Sequence, residues 1–306
     1  MNRRVVKHGS SSYIISLPIK WIRKYGVEQG DELAVREENK SLIISSENTS
    51  KIVRIEIDGS QLLPRLVDRF MARSYQKGYD EILFIHRNPA LLNVIKTKVH
   101  ELIGYEIVEQ DSVKCLIKAI SAKIDLDFDN SLKRAFLIVK QMLEECADAY
   151  AHKNAIALAE IEYRDLEVNR LTYFCLRQIN KEHYDSPERA QQLRVLYHLV
   201  EMLEDLGDAT KKVATRLIKV KRTELFAPIF TLILEQYKCS YDYFYKPTVD
   251  LANRAYELYL QVDIQITKSS SQKLNESEIA CLLFIKEITS IIQHFITMRL
   301  DYLKQN

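Results

Sequence analysis

The chain has 306 residues, 47% of them apolar and 28% charged, with a net charge of +2. That apolar fraction excludes a disordered chain, and at ~150 residues per domain the length predicts about two domains. The longest uncharged apolar stretch, Leu225 to Leu234, has ten residues and contains a proline, whereas a spanning helix needs ~20, so no membrane insertion is expected. No apolar segment follows the basic Arg3, Arg4 and Lys7, and no secretory signal is read there. The five cysteines (Cys115, Cys146, Cys175, Cys239, Cys281) lie at least 29 residues apart and form no C-x-x-C pair. That spacing predicts neither a disulfide framework nor a zinc ribbon, and it fits a reducing, cytoplasmic location.

The charge distribution says more than its sum. The first 27 residues hold Arg3, Arg4, Lys7, Lys20, Arg23 and Lys24 and no carboxylate, leaving 38 of the 44 basic groups and all 42 acidic ones to the rest. A basic tip on a mildly acidic body is what a contact with a polyanion requires. An ordinary solvated face is the alternative.

Residues 1–48 alternate as strands do. Val5-Val6 opens and Tyr13 to Leu17 is a second apolar run. Pro18 suits the first turn of a helix over Ile19 to Tyr25, which Gly26 stops. Gly30-Asp31 then turns into Glu32 to Arg36, and Asn39-Lys40 turns that strand back into Leu42 to Ile44. Fewer than 50 residues cannot close a core alone without disulfides or metal. The segment is therefore expected to fold by pairing with a second copy, as a homodimer.

Over 51–124 the pattern is β-α-β-α-β-β: Ile52 to Ile57, a helix from Leu62 to Gln76, Ile82 to Ile85, a helix from Ala90 to Ile103, then a hairpin around Gln110-Asp111-Ser112. This is a small α/β layer without a phosphate-binding glycine loop, read as a connector or dimer-supporting domain. Six of the seven glycines precede residue 105. The remainder is helical, with helices predicted over about 130–151, 155–183, 187–220, 223–245, 248–268 and 276–304. Ser186-Pro187 reads as a cap and first position, and Asn275 with Glu278 as a capping box. Three long helices followed by three more predict a duplicated three-helix unit.

Arg3-Arg-Val-Val-Lys-His-Gly-Ser-Ser-Ser-Tyr-Ile-Ile-Ser-Leu-Pro18, the basic helix, then Gly26-Val-Glu-Gln-Gly30-Asp and a hairpin resemble the AbrB/SpoVT/MazE swapped-hairpin DNA-binding family, in its archaeal form. The resemblance implies an interlaced dimer with the first strand and short helix facing DNA. Arg3, Arg4, Lys7, Lys20, Arg23 and Lys24 would then neutralise phosphates, and Ser10, Ser11 and Ser12 would donate to phosphate oxygens. Ser10 follows the loop glycine where the family's best-known pattern has an arginine.

On the third long helix, Glu204 and Asp208 share one face, as do Glu201 and Asp205. The preceding helix supplies Glu160, Glu162, Asp165, Glu167 and Asn169. If the two helices pack antiparallel, these carboxylates converge around a cation. Alternatively, the face is exposed and Asp208 pairs with Lys211 or Lys212. Leu203-Glu204-Asp-Leu-Gly-Asp208, within paired three-helix units, resembles the PhoU family of phosphate-uptake regulators over residues 128–306. That resemblance implies a divalent or ferric metal in the first repeat, at Glu204, Asp208, Glu162 and Asp165. Ala209 and Lys212 stand where the family motif has His and Asn, Lys212 placing an ammonium beside that site, and Ser290 replaces the second-repeat Asp. His198 and Glu201 form a further candidate ligand pair at i,i+3, the alternative being a packing or surface histidine, and Tyr237 to Tyr245 reads as bundle core or interface.

These readings combine into a multidomain α+β chain: a swapped-hairpin β module at 1–48, an α/β connector at 51–124, and an all-α PhoU-like bundle of two three-helix repeats at 128–306. The expected function is non-enzymatic: a cytoplasmic homodimer that binds double-stranded DNA and regulates transcription, with phosphate homeostasis as its setting. The expected partners of the bundle are a phosphate transporter or signalling protein. Transporter regulation by protein contact alone, or a carboxylate-metal protein, are the alternatives.

Overall fold

The computed structural model describes residues 3–38, 41–46, 52–120, 127–182 and 186–302. The Asn39-Lys40 turn, the Tyr184-Asp185 break, the expected junctions near 48–51 and 121–126, and the expected helix ends at 183 and 304 lie outside the described residues. The chain divides into two units, Met1–Ile52 and Val53–Asn306, where the sequence reading expects three.

In the first unit, β1 (Val6–His8) and β2 (Ser12–Ile14) pair antiparallel across Gly9-Ser10-Ser11. Helix α1 (Ile19–Tyr25) begins after Pro18 and closes on Gly26, whose φ of +61° lets its N–H return to the Ile22 carbonyl. Strands β3 (Leu33–Glu38) and β4 (Ser41–Ser46) form a second antiparallel hairpin. The expected order of strand, strand, short helix and hairpin is the order observed.

The second unit opens with β5 (Arg54–Asp58), α2 (Pro64–Gln76), β6 (Glu81–Ile85), α3 (Pro89–Glu101), β7 (Tyr105–Gln110) and β8 (Lys114–Ala119). The sheet order is β5-β6-β8-β7, with β5 and β6 parallel and β8 antiparallel to both its neighbours. Alternation along β6 and β8 sets Ile82 opposite Ile117 and Phe84 opposite Cys115. All four are buried with Val67, Met71 and Tyr75 of α2 and Ile95 of α3. Each such side chain contributes roughly 1.5–3 kcal/mol by leaving water. Gly59 crosses this face so closely that a Cβ there would stand 2.1 Å from Phe84 Cε1.

The bundle follows: α4 (Phe128–Ala151), α5 (Ala155–Lys181), α6 (Pro187–Leu217), a short 3-10 turn, α7 (Ala227–Tyr245), α8 (Val249–Ser270) and α9 (Glu276–Tyr302). Side-chain caps start these helices where turn residues predict them. Ser186 Oγ accepts from the Arg189 N–H at 3.0 Å. Asn275 and Glu278 exchange bonds of 2.9 and 3.0 Å, a capping box. Within each half, first, second and third helices contact one another, and the halves meet α4 on α7 and α6 on α9. That is the geometry of a duplicated three-helix unit. Tyr237 is buried and donates its hydroxyl to the Phe136 carbonyl at 2.6 Å, and Tyr243 and Phe244 are buried too, while Tyr245 at the end of the run is exposed.

The α/β layer packs on α5 of the bundle. Tyr173 of α5 belongs to its core, and the buried Arg177 of α5 reaches into it, donating to the Tyr75 and Tyr79 carbonyls and to Asp80. Among the described residues, α9 is long and apolar enough to cross a membrane by length and composition, which the ten-residue stretch found in sequence missed. Its Cys281, Ile285, Ile288, Ile292 and Phe295 are each 0% exposed, within the bundle core.

Candidate functional site

Two places bring chemistry-bearing residues together, one in each unit. In the first unit none of the residues whose exposure is described is buried. Val5, Val6, Tyr13, Ile14, Ile15 and Ile19 all lie open, as do Val35 and Leu42 of the second hairpin. A single copy makes two ribbons and a helix but no core.

The nine residues expected to meet DNA are all exposed. Arg3 and Arg4 precede β1, and Lys7 lies on it opposite Tyr13. Ser10 and Ser11 form the hairpin turn, and Ser12 opens β2, its hydroxyl donating to the His8 carbonyl. Lys20, Arg23 and Lys24 fall at i, i+3 and i+4 on α1, sharing a face, and the first turn of α1 holds no acidic residue. Lys24 Nζ rests 5.0 Å from the Tyr25 ring.

The second place is a cleft of about 310 Å³ where α2 and α3 face α5 and α6. Helices α5 and α6 run antiparallel, since Asp165 meets Lys211 while Tyr173, further along α5, meets Glu204. The four residues expected to hold metal, Glu162, Asp165, Glu204 and Asp208, all line this cleft, with Asn169 and Asp205. Glu160 and Glu167 lie elsewhere, beside Arg164 and Glu145. Glu201 is taken by Arg73 at 2.9 Å, which removes it from any ligand pair with the exposed His198.

Gly207 is the reason the acidic helices approach so closely. A Cβ there would lie 3.2 Å from Asp165 Oδ1. Asp165 is 1% exposed, and a buried carboxylate requires a cation or a proton. Lys211 supplies the cation: its Nζ binds Asp165 Oδ2 and, at 2.6 Å, Asp208 Oδ1. Burial opposes that ammonium, but the two carboxylates outweigh burial and hold its pKa above the usual lysine value. The second set is Lys98, 5% exposed, bonded to Asp68 at 3.0 Å and Glu101 at 2.5 Å. Glu204 lines the same cleft and, among the described residues, accepts one hydrogen bond, from the Tyr173 hydroxyl at 3.4 Å. Burial, and then the charges of Asp208 and Asp205, push its carboxyl up to about 7. That rise makes Glu204 the more easily protonated, while Asp165 and Asp208 are paired with the Lys211 ammonium.

The opposite wall escaped the sequence reading. Arg65, Arg69 and Arg73 line the cleft from α2, and their i, i+4, i+8 spacing was visible as one helical face. The lysine at the acidic site is also different from the one expected. Lys211 bridges the carboxylates, while Lys212 Nζ turns toward the Phe284 ring at 5.8 Å. The pairing of Asp208 with a lysine at i+3 is the arrangement formed. Among the described residues no group of three or more His, Cys, Asp or Glu converges to hold a metal ion. The Lys211 ammonium stands between the Asp165 and Asp208 carboxylates.

Comparisons with known proteins agree with both regions. The family model described as "Antidote-toxin recognition MazE, bacterial antitoxin" matches residues 6–52, and the PhoU domain model matches residues 132–217. The crystal structure of PhoU from Pseudomonas aeruginosa is similar at a TM-score of 0.52 and 14% identity, covering 59% of this chain and 97% of that one. At that identity the likeness speaks for the fold. No curated protein matches the chain. Residues 6–52 therefore match a MazE-type domain and residues 132–217 a PhoU domain, two family matches in one chain.

Proposed function

We propose that this protein is a homodimeric, cytoplasmic transcription regulator that binds double-stranded DNA through its MazE-type domain. Its PhoU-type bundle would tie that binding to phosphate uptake, by docking a phosphate transporter or signalling protein. The observation that carries the reading is the first unit itself: an exposed apolar set beside six cations and no acid in 27 residues. A second copy covers the apolar set and doubles the cations on one assembly. Free phosphate is an unsuitable ligand for the cleft. Its lining holds Glu162, Asp165, Glu204, Asp205, Asp208, Asp68 and Glu101 against Arg65, Arg69, Arg73, Lys98 and Lys211, and the excess of carboxylates repels an anion. Signalling between bundle and DNA requires an effector that binds two arrangements of the chain with different affinity.

The test is a salt titration of duplex DNA binding, with mass measurement of the free protein. A dimer engaging 6–10 phosphates loses roughly 10³–10⁵ in affinity between 50 and 200 mM salt. Reversing Lys20, Arg23 and Lys24 to Glu should abolish binding while leaving the dimer intact. A monomer in solution, or no binding at low salt, defeats the reading and favours regulation by protein contact alone.

A further inference from the structure

The acidic cleft contains its own cation. We propose that the Lys211 ammonium is the resident counter-ion of the α5–α6 carboxylates, and that this bundle neither binds nor requires a metal ion there. The proposal stands apart from the DNA-binding reading.

The geometry leaves little choice. Asp165, on α5, and Asp208, on α6, meet across the helix pair at Lys211, each with one oxygen on its Nζ. An ion shared by these oxygens would take the position of the ammonium or stand beside it, against cation–cation repulsion. Ala209 offers no ligand atom, and Lys212 is turned to Phe284. The remaining oxygens are telling in another way. Asp165 Oδ1 and Asn169 Oδ1 are buried without a hydrogen-bond partner, and Glu204 lies on the same lining. Removing the ammonium alone would therefore uncover an oxygen-rich set, from Asp165, Asn169, Asp208 and Glu204, of the kind that hard divalent cations take. One residue separates an ion-pair cleft from a metal site.

The full-length chain is tested by equilibrium dialysis against Mn²⁺ and by thermal melts with and without Mn²⁺. Wild type should take up no stoichiometric Mn²⁺ and show no shift of its melting temperature. Lys211→Ala should melt earlier without metal, bind one Mn²⁺ per chain, and recover with Mn²⁺. Lys211→Arg keeps the charge and should behave as wild type does. Because wild type and Lys211→Arg are read independently, a Lys211→Ala chain too unstable to purify leaves the decision to them. Stoichiometric Mn²⁺ on wild type that Glu204→Gln/Asp208→Asn removes would overturn the proposal. So would a Lys211→Ala protein that is as stable as wild type and indifferent to metal.

Discussion

Arg177 ties the α/β layer to the bundle, and its replacement by Met gives the sharpest test of that joint. The guanidinium is 6% exposed. Its Nη1 donates to Tyr75 O at 3.1 Å, Tyr79 O at 2.7 Å and Tyr105 Oη at 3.0 Å, and its Nη2 to Asp80 Oδ1 at 2.9 Å. It also lies 5.1 and 5.0 Å from the Tyr75 and Tyr105 ring centroids. Removing one partner of a buried ion pair costs about 3–5 kcal/mol. The lower end applies here because Asp80 keeps Lys181 and the Val53 N–H. The Tyr75 carbonyl keeps the Gly78 N–H, and the Tyr79 carbonyl keeps the Tyr105 hydroxyl. A loss of about 3 kcal/mol in a unit of this size lowers the melting temperature by roughly 6–12 °C. Calorimetry measures the total, and hydrogen exchange localises it. Amides of β6 and β8 should lose protection before those of α6 and α9. A melting temperature within about 2 °C of wild type would show that the layer is held by its apolar contacts and not by this arginine.

Three further outcomes follow from the same structure. Glu204, with a folded pKa near 7 against 4.5 for an unperturbed glutamate, binds its proton more tightly folded than unfolded. Its contribution is therefore most favourable below pH 4.5 and declines as pH rises to 7, by up to about 3 kcal/mol at 1.36 kcal/mol per unit. Urea unfolding from pH 4.5 to 8 should show that decline, and Glu204→Gln should flatten it; an unchanged slope would place the proton elsewhere. Glu278 is the opposite case, held below its usual pKa by the Arg222 hydrogen bonds. Its stabilisation is present above pH 4.5 and is lost as pH falls through the lowered value, so in acid titrations of stability Glu278→Gln should shrink the acid unfolding limb and lower stability at neutral pH. Gly59→Ala drives a Cβ to 2.1 Å from the fully buried Phe84 and should destabilise by about 1–3 kcal/mol through overpacking; a neutral denaturation midpoint would mean that Phe84 can move.

How far the sequence alone reached depends on the distance over which each feature is decided. The hairpins, α1 with its Gly26 cap, the Ser186 and Asn275–Glu278 caps and the two three-helix halves depend on residues within one turn or one helix of each other. Such features are legible because local hydrogen bonding and apolar periodicity are properties of short windows. The six candidate cations were likewise legible as a run of charge, and their exposure follows from a segment too short to bury them. Only the tertiary structure decided that the α/β layer sits on α5 through Tyr173 and Arg177, that Arg65, Arg69 and Arg73 wall the acidic cleft, and that Lys211 rather than Lys212 enters it. Adjacent lysines on a helix differ by about 100° in direction. Which of them meets Asp165 is set by the rotation of α6 against α5, and that rotation is fixed by the close approach at Gly207, a packing event between positions over forty residues apart in the chain.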